Sequence, residues 1–305
     1  MHGTVSIHEY EKDLVEFLEH KCSLQQDKNL HTTTEWPPPR TLCSSCGAEL
    51  CRIYCSTCLE IQIPKDSWPR PLVRDLERGT PFRLPFKVDL ILDDKRGAST
   101  GIQAAAICQI ADSDGYNDSN HEIGTKEHSF RIFERDSDEK FSIPNLSQKD
   151  EHAFVLFPGP GSRPLSEILS KSTIDRLVVL DCKWTKSSVR LNPHIDRLPK
   201  VSLDIQPSQS YFWRWHAAGE GMVSTIEAIY YAARQVADAL EEEWNSQEKN
   251  DLVHLLWLFG LQRDLIRQKY EAGEIRTRDE RAVPFSPDAK EFQRKVRDRG
   301  TKRSD

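Results

Sequence analysis

The stretch "RLVVLDCKWTKSS", residues 176–188, decides how the chain is read. Strand-forming residues from Leu177 to Leu180 run into a carboxylate, Asp181, and a tryptophan, Trp184, follows three positions later before the chain turns polar and basic. An uninterrupted apolar run of this kind is the pattern of a strand buried on both faces. Asp181 then has two readings: it caps the turn that follows, or it stands on the rim of a sheet where a ligand is held. Trp184 likewise either fills core or offers a stacking face.

The same rhythm recurs outward from this strand. "HAFVLF" (152–157) is followed by "PGPGSRPLSEIL", "DRLVVLD" (175–181) by "CKWTKSSVRL", and "PKVSLDI" (199–205) closes the series. Upstream, "FKVDLIL" (86–92) precedes "GASTGIQAAAICQIA" (97–111), which starts with small residues and continues as a buried helix. Short apolar strand, polar or Gly/Pro turn, then helix: the alternation predicts an α/β fold with a mostly parallel sheet. "SYFWRWH" (210–216) alternates and predicts a further strand or extended segment, and two amphipathic helices are expected near 224–243 and 250–270.

The 305 residues carry a formal net charge of −6, with 37% hydrophobic and 30% charged residues, which suits one sizeable domain with appendages. The first residues lack an apolar h-region and no run of 18 apolar residues occurs, so the expectation is an intracellular protein with no membrane contact. The acidic balance argues against indiscriminate nucleic-acid binding but allows a local basic face. The basic segment from Arg276 reads equally as a solvated tail or as a grip on RNA. Nothing implies an obligate protein partner.

The organisation expected along the chain is an N-terminal helix and Pro-rich linker (1–39), a four-cysteine module (40–64), the main α/β domain (65–272) with a variable insertion at 112–151, and a basic tail (273–305). In "CSSCGAELCRIYCSTC", Cys43 and Cys46, then Cys55 and Cys58, form two CxxC turns able to present four thiolates to one tetrahedral zinc ion. Such a closed site is structural. Cys51 is the spare between the pairs, and Cys22, Cys108 and Cys182 read as packed or incidental thiols.

In an open α/β sheet the turns after Phe157, Asp181 and Ile205 should converge on one crevice at the carboxyl ends of the strands. "STIEA" (224–228) is a capping box of Ser224 and Glu227 at a helix N-terminus, a place that also suits a carboxylate or phosphate. Arg214 either adds a bidentate contact to such an anion or packs on Trp213 or Trp215. "RGASTG" (96–101) offers Ser99 and Thr100 but matches neither a P-loop nor GxGxxG, so ATP and NAD are not supported. The histidines lack mutual ligand spacing, and no nucleophile elbow occurs.

"LDCKW" resembles the Asp-x-x-Trp signature of DTW-domain proteins, and "FPGP" and "STIEAIYY" resemble its flanking motifs in the right order, with the cysteine cluster ahead of them. The resemblance covers about residues 40–270 and is nearest to the tRNA-uridine aminocarboxypropyltransferases of the eukaryotic DTW-domain protein 1 group. It implies a SPOUT-like α/β fold with a C-terminal trefoil knot. It implies transfer of the 3-amino-3-carboxypropyl group of S-adenosylmethionine to N3 of a D-loop uridine in tRNA, giving acp3U and methylthioadenosine, and it suggests a nuclear address. Asp181 becomes the candidate base and Trp184 part of the pocket. Ser99, Thr100, Phe157, Pro158, Gly159, Asp181, Ser224, Thr225 and Glu227 would line the cofactor site, with Arg214 an anion contact. The chain departs from the family at Lys183, where the signature has threonine, and at Asp93 and Asp94, where a His-Pro pair is common. The rival readings are an rRNA aminocarboxypropyltransferase, an RNA methyltransferase using the same cofactor, and a non-catalytic zinc-knuckle RNA-binding protein.

Overall fold

The runs that read as buried strands pair with one another. A computed structural model describes residues 7–21, 36–79, 82–109, 129–134, 152–182, 193–204, 207, 210–213 and 222–274. In chain order its elements begin with α1 (Ile7–Glu16), β1 (Thr41–Leu42), β2 (Leu50–Cys51), α2 (Arg70–Glu77), β3 (Lys87–Leu92), α3 (Thr100–Cys108), β4 (Phe130–Glu134) and β5 (Ala153–Leu156). They continue with β6 (Arg163–Pro164), α4 (Leu165–Leu169), β7 (Arg176–Asp181), α5 (Pro193–Asp196), β8 (Lys200–Ser202), α6 (Thr225–Ala239), α7 (Ser246–Asp251) and α8 (Trp257–Glu271). β1 and β2 form a small antiparallel pair. The other six strands form one sheet in the order β4-β3-β7-β5-β8-β6, parallel at every pairing.

Side chains alternate across each strand, and this sorts the residues into two cores. Val88, Leu90 and Leu92, Leu177 and Val179, and Phe154 and Leu156 face the main core with α3, α6 and α8. Ile91, Val155 and Val178 face the other side and meet Ile195. Asp181, two residues beyond Val179, therefore shares the main-core face.

α3 is buried at all nine positions, and it can sit so deep because its residues are small. A Cβ on Gly101 would fall 2.6 Å from Leu90 Cδ1 and 2.8 Å from Asp181 Oδ2. Here glycine is required by close approach to the sheet.

Tyr10, Leu14, Phe17 and Leu18 of the N-terminal helical segment, and Ile53, Leu59, Ile61 and Ile63 of the cysteine segment, enter the same main core. Arg234 of α6 donates to Asp13 at 2.7 Å and stacks 4.8 Å above the Tyr10 ring. The proline-rich stretch thus connects contributors to one hydrophobic core.

Three elements differ from expectation. The polar stretch 112–151 contains β4, an edge strand of mostly half-buried residues whose pattern is too weak to stand out. Residues 210–213 are not a strand, because the Tyr211 N–H donates to the Glu227 carboxylate at 2.6 Å and the Phe212 N–H to Ser210 Oγ at 3.1 Å. The single helix expected at 250–270 is interrupted: α7 gives way to a 3₁₀ stretch, Leu252–Leu256, before α8 begins.

On the far face of the sheet a buried charge cluster joins three strands. Asp89 of β3 accepts from Arg131 of β4 at 2.8 and 2.7 Å and from Arg176 of β7 at 2.9 Å. Asp89 is 1% exposed and Arg176 4%. Removing one partner of such a cluster strands a buried charge. Asp89→Ala should therefore destabilise the fold by roughly 3–5 kcal/mol, read as a lower urea midpoint, and the Asp89→Leu/Arg176→Met double variant should recover much of that loss. Gly101→Ala should cost roughly 1–3 kcal/mol in the same measurement.

Candidate active site and metal centre

The chain leaves β3 through α3 and returns at β4 on one side of the sheet, whereas it leaves β7 and returns at β8 on the other. Diverging connections mark the carboxyl ends of β3 and β7 as the switch point, where ligands of open α/β sheets bind. Asp181 ends β7 at this point, in register with Leu92 of β3.

Its carboxylate is held by the start of α3. Ser99 is the N-cap: its Oγ accepts from the Ile102 N–H at 3.1 Å and donates to Asp181 Oδ2 at 2.5 Å. The Gly101 N–H donates to the same oxygen at 3.0 Å. Thr225, the first residue of α6, adds a side-chain hydrogen bond. Asp181 is 7% exposed. Burial, aided by the charge of Asp94, raises its pKa above the ordinary carboxylate value, and the donors from Ser99, Gly101 and Thr225 offset this only in part.

The N-termini of α3 and α6 are tied together, since Thr100 Oγ1 accepts from the Ile226 N–H at 3.3 Å. Glu227, wholly buried, accepts from the Ser224 N–H at 2.8 Å, Ser224 Oγ at 2.6 Å, Ser210 Oγ at 2.7 Å and the Tyr211 N–H. Burial still pushes its pKa up. With so many protein donors on its two oxygens, Glu227 fixes the segment 210–213 against α6.

Of the residues singled out in the sequence, Ser99, Thr100, Asp181, Ser224, Thr225 and Glu227 come together at the two helix starts. Phe157, Pro158 and Gly159 follow β5 at the same end of the sheet, but the Phe157 ring packs against the second core with Ile91 and Val178, on the opposite face from Asp181. Only the loop, and not that ring, shares the rim with the carboxylate. Trp184, Lys183 and Arg214 lie outside the described residues. The sequence reading missed Gly101 as a partner of Asp181, although it stands in the "RGASTG" run, and it missed Arg96 in the same run.

Cys43, Cys46, Cys55 and Cys58 bring their sulfurs within 4.8 Å of one another, with 3.5 Å between Cys43 and Cys58 and 3.6 Å between Cys46 and Cys55. A tetrahedral zinc with bonds of about 2.3 Å spaces its thiolates about 3.8 Å apart, so the four residues fit that ion. The two knuckles are built alike: the Gly47 N–H returns to the Cys43 carbonyl and the Leu59 N–H to the Cys55 carbonyl, and both residues adopt positive φ. Burial works against ionising Cys43, but the N–H groups of Cys46 and Ser45 and the neighbouring thiols hold it down at about 6. Burial pushes Cys58 up to about 11. Four thiols this close ionise together only around a cation. Cys51 packs beside Cys43 and Cys55 but is not one of the four, and its sulfur lies 3.8 Å from the Thr41 carbonyl.

A cavity of about 420 Å³ lies elsewhere, lined by Arg74, Arg83, Phe82, Ser129, Trp244 and Asp251 among others. Phe82 and Ser129 precede β3 and β4, which places it at the amino ends of the strands, away from Asp181. Arg74 pairs with Asp251 at 3.1 Å and Arg83 with Glu248 at 3.0 Å, so much of its charge is internally matched.

A parallel α/β sheet with a buried carboxylate between two helix N-termini at its switch point, joined to a four-thiolate cluster able to hold zinc, defines the class of protein. The DTW domain model matches residues 95–262, more than half of the chain, and the chain belongs to the DTW domain family. That family is associated with tRNA-modifying activity. Neither the curated proteins nor the solved structures yield a match. Among the described residues no helix is long and apolar enough to cross a membrane.

The purified protein should carry one zinc per chain by atomic emission. Cys55→Ser should lose the metal and expose the Ile53, Leu59 and Ile61 segment to proteolysis, whereas Cys51→Ser should keep full metal content.

Proposed function

We propose that this chain transfers the 3-amino-3-carboxypropyl group of S-adenosylmethionine to N3 of a D-loop uridine in tRNA, with release of methylthioadenosine. The observation that carries this reading is Asp181: a buried carboxylate of raised proton affinity, held by the start of α3 at the switch point between β3 and β7 in a chain of the DTW domain family. The domain limits 65–272, the SPOUT-like knot, structural zinc and a nuclear address belong to the same proposal.

The N-termini of α3 and α6 turn their positive dipole ends toward the carboxylate of the amino-acid moiety, while the N–H groups of Gly101, Ile102 and Ile226 are already taken by Asp181, Ser99 and Thr100. Ser99, Thr100, Ser224 and Thr225 line that approach, with the loop from Phe157 to Gly159 on the neighbouring strand. Glu227 acts by holding segment 210–213 in place. Trp184 and Arg214 enter through the family resemblance, as a wall of the pocket and an anion contact.

The co-substrate supplies a sulfonium whose γ-carbon is electrophilic; the new C–N bond forms at N3 while the C–S bond breaks and its electron pair stays on sulfur. The leaving group departs as a neutral thioether and needs no acid. The N3 proton is the one that must go, and Asp181 receives it or steers it away. Holding the γ-carbon in line with N3, and the methyl group out of line, selects aminocarboxypropyl over methyl transfer.

With labelled co-substrate and unmodified tRNA, the protein should give methylthioadenosine and acp3U; S-adenosylhomocysteine would mark a methyltransferase, and a product on rRNA alone would move the substrate class. Asp181→Asn should lower the rate by roughly 100-fold or more, a general-base effect, with the far-UV spectrum unchanged. A base must be ionised to act, and burial raises the pKa of Asp181. Activity should therefore be lost as pH falls through a value above the ordinary carboxylate range, and Asp181→Asn should abolish that acid limb.

A further inference from the structure

Arg96 opens the 3₁₀ turn, Arg96–Ala98, that delivers Ser99 to Asp181. Its side chain turns away from that site toward the cysteine cluster. Nε donates to the Ser56 carbonyl at 2.6 Å and Nη2 to the Thr57 carbonyl at 3.3 Å, and Ser56 and Thr57 are the two residues between Cys55 and Cys58. Nη1 pairs with Glu134, the last residue of β4. The same knuckle is joined to the first one by Glu49, whose carboxylate accepts from the Ser56 N–H and from Ser56 Oγ at 2.9 and 3.1 Å. On the other side of Arg96, the Ser99 N–H returns to the Arg96 carbonyl at 3.1 Å.

A continuous chain of directional bonds therefore runs from the second knuckle through one guanidinium to the N-cap that grips Asp181. An ion bound by Cys55 and Cys58 would close the turn that carries the carbonyls of Ser56 and Thr57. Three donors of a planar fork fix the turn 96–98 in a way that a flexible ammonium does not.

We propose that Arg96 is a positioning residue through which metal occupancy of the Cys43, Cys46, Cys55 and Cys58 cluster and binding of the sulfonium co-substrate at the α3 N-terminus strengthen each other. This rests on the reading of that crevice as the S-adenosylmethionine site. Linkage makes the effect reciprocal: if the closed knuckle favours the bound loop, the bound loop must retain the metal by the same factor.

The test uses the full-length zinc-loaded protein. Calorimetry gives the S-adenosylmethionine affinity, and equilibrium competition with a colorimetric chelator gives the zinc affinity with and without saturating co-substrate. The expected result is zinc held about tenfold more tightly in the presence of the co-substrate, within the usual range of coupling between sites. Arg96→Ala should keep one zinc per chain, bind the co-substrate about tenfold more weakly, and hold zinc with one affinity whether or not it is present. Arg96→Lys should restore little, while Glu134→Gln, which leaves both knuckle carbonyls bonded, should keep most of the coupling. If the parent binds the co-substrate but its zinc affinity ignores it, and Arg96→Ala binds equally well, the coupling is overturned while the function stands. If the parent binds no S-adenosylmethionine, the functional reading fails and the coupling fails with it.

Discussion

The grip of Ser99 and Gly101 on the Asp181 carboxylate is the constraint from which the rest of the site follows. A strand end and a helix start are brought to one oxygen, at 2.5 and 3.0 Å, and this fixes the angle at which α3 leaves the rim and crosses beneath the sheet. α3 can cross so closely only because Gly101 has no side chain and Ala104, Ala105 and Ala106 have almost none. α6 is then seated against α3 through Thr100, and Glu227 at its first turn fastens the segment before it. Each of these contacts joins residues far apart in sequence. The arrangement around Asp181 is consequently a product of the finished fold and of no single motif.

The cysteine segment takes part in that construction. Ile53, Leu59, Ile61 and Ile63 are buried in the main core, so the segment contributes apolar burial as well as ligands. A short stretch with two tight turns, one of them demanding positive φ from Leu59, holds that shape poorly unaided, because a non-glycine residue resists that conformation. Four thiolates around one ion would offset the cost, and the geometry of the sulfurs is right for it.

Much of the architecture was legible because it is written in local pattern. The apolar runs of β3, β5, β7 and β8 are visible as runs, and the CxxC pairs carry their own spacing. The capping box of Ser224 and Glu227 announces a helix start in the same way. What stayed hidden depends on partners distant in sequence. β4 sits in a polar stretch and becomes a strand because Asp89 draws in Arg131 and β3 offers an open edge. Residues 210–213 have the alternation of a strand but surrender the Tyr211 N–H to a carboxylate sixteen residues on, Glu227. The facing of Phe157 follows from register with β7, which no pattern within "FPGP" contains. Asp181 was visible as an oddity at a strand end; that Ser99 and Gly101 hold it was not.

The two ways in which this fold buries acid separate structure from chemistry. Asp89 is matched by two guanidiniums, and its charge is cancelled on the spot. Among the described residues, Asp181 and Glu227 take their hydrogen bonds from hydroxyls and backbone N–H groups, which solvate a charge without cancelling it, and burial leaves both with raised proton affinity. A carboxyl whose folded pKa lies above its unfolded one favours the fold most when protonated, below the unfolded value, and loses that contribution as pH rises through the folded value. At neutral pH both groups thus weigh against stability. For Glu227 the return is that segment 210–213 is fastened to the first turn of α6. For Asp181 the return is the start of α3, which is held to the end of β7 through Ser99 Oγ and the Gly101 N–H while burial keeps the proton affinity of the carboxyl raised.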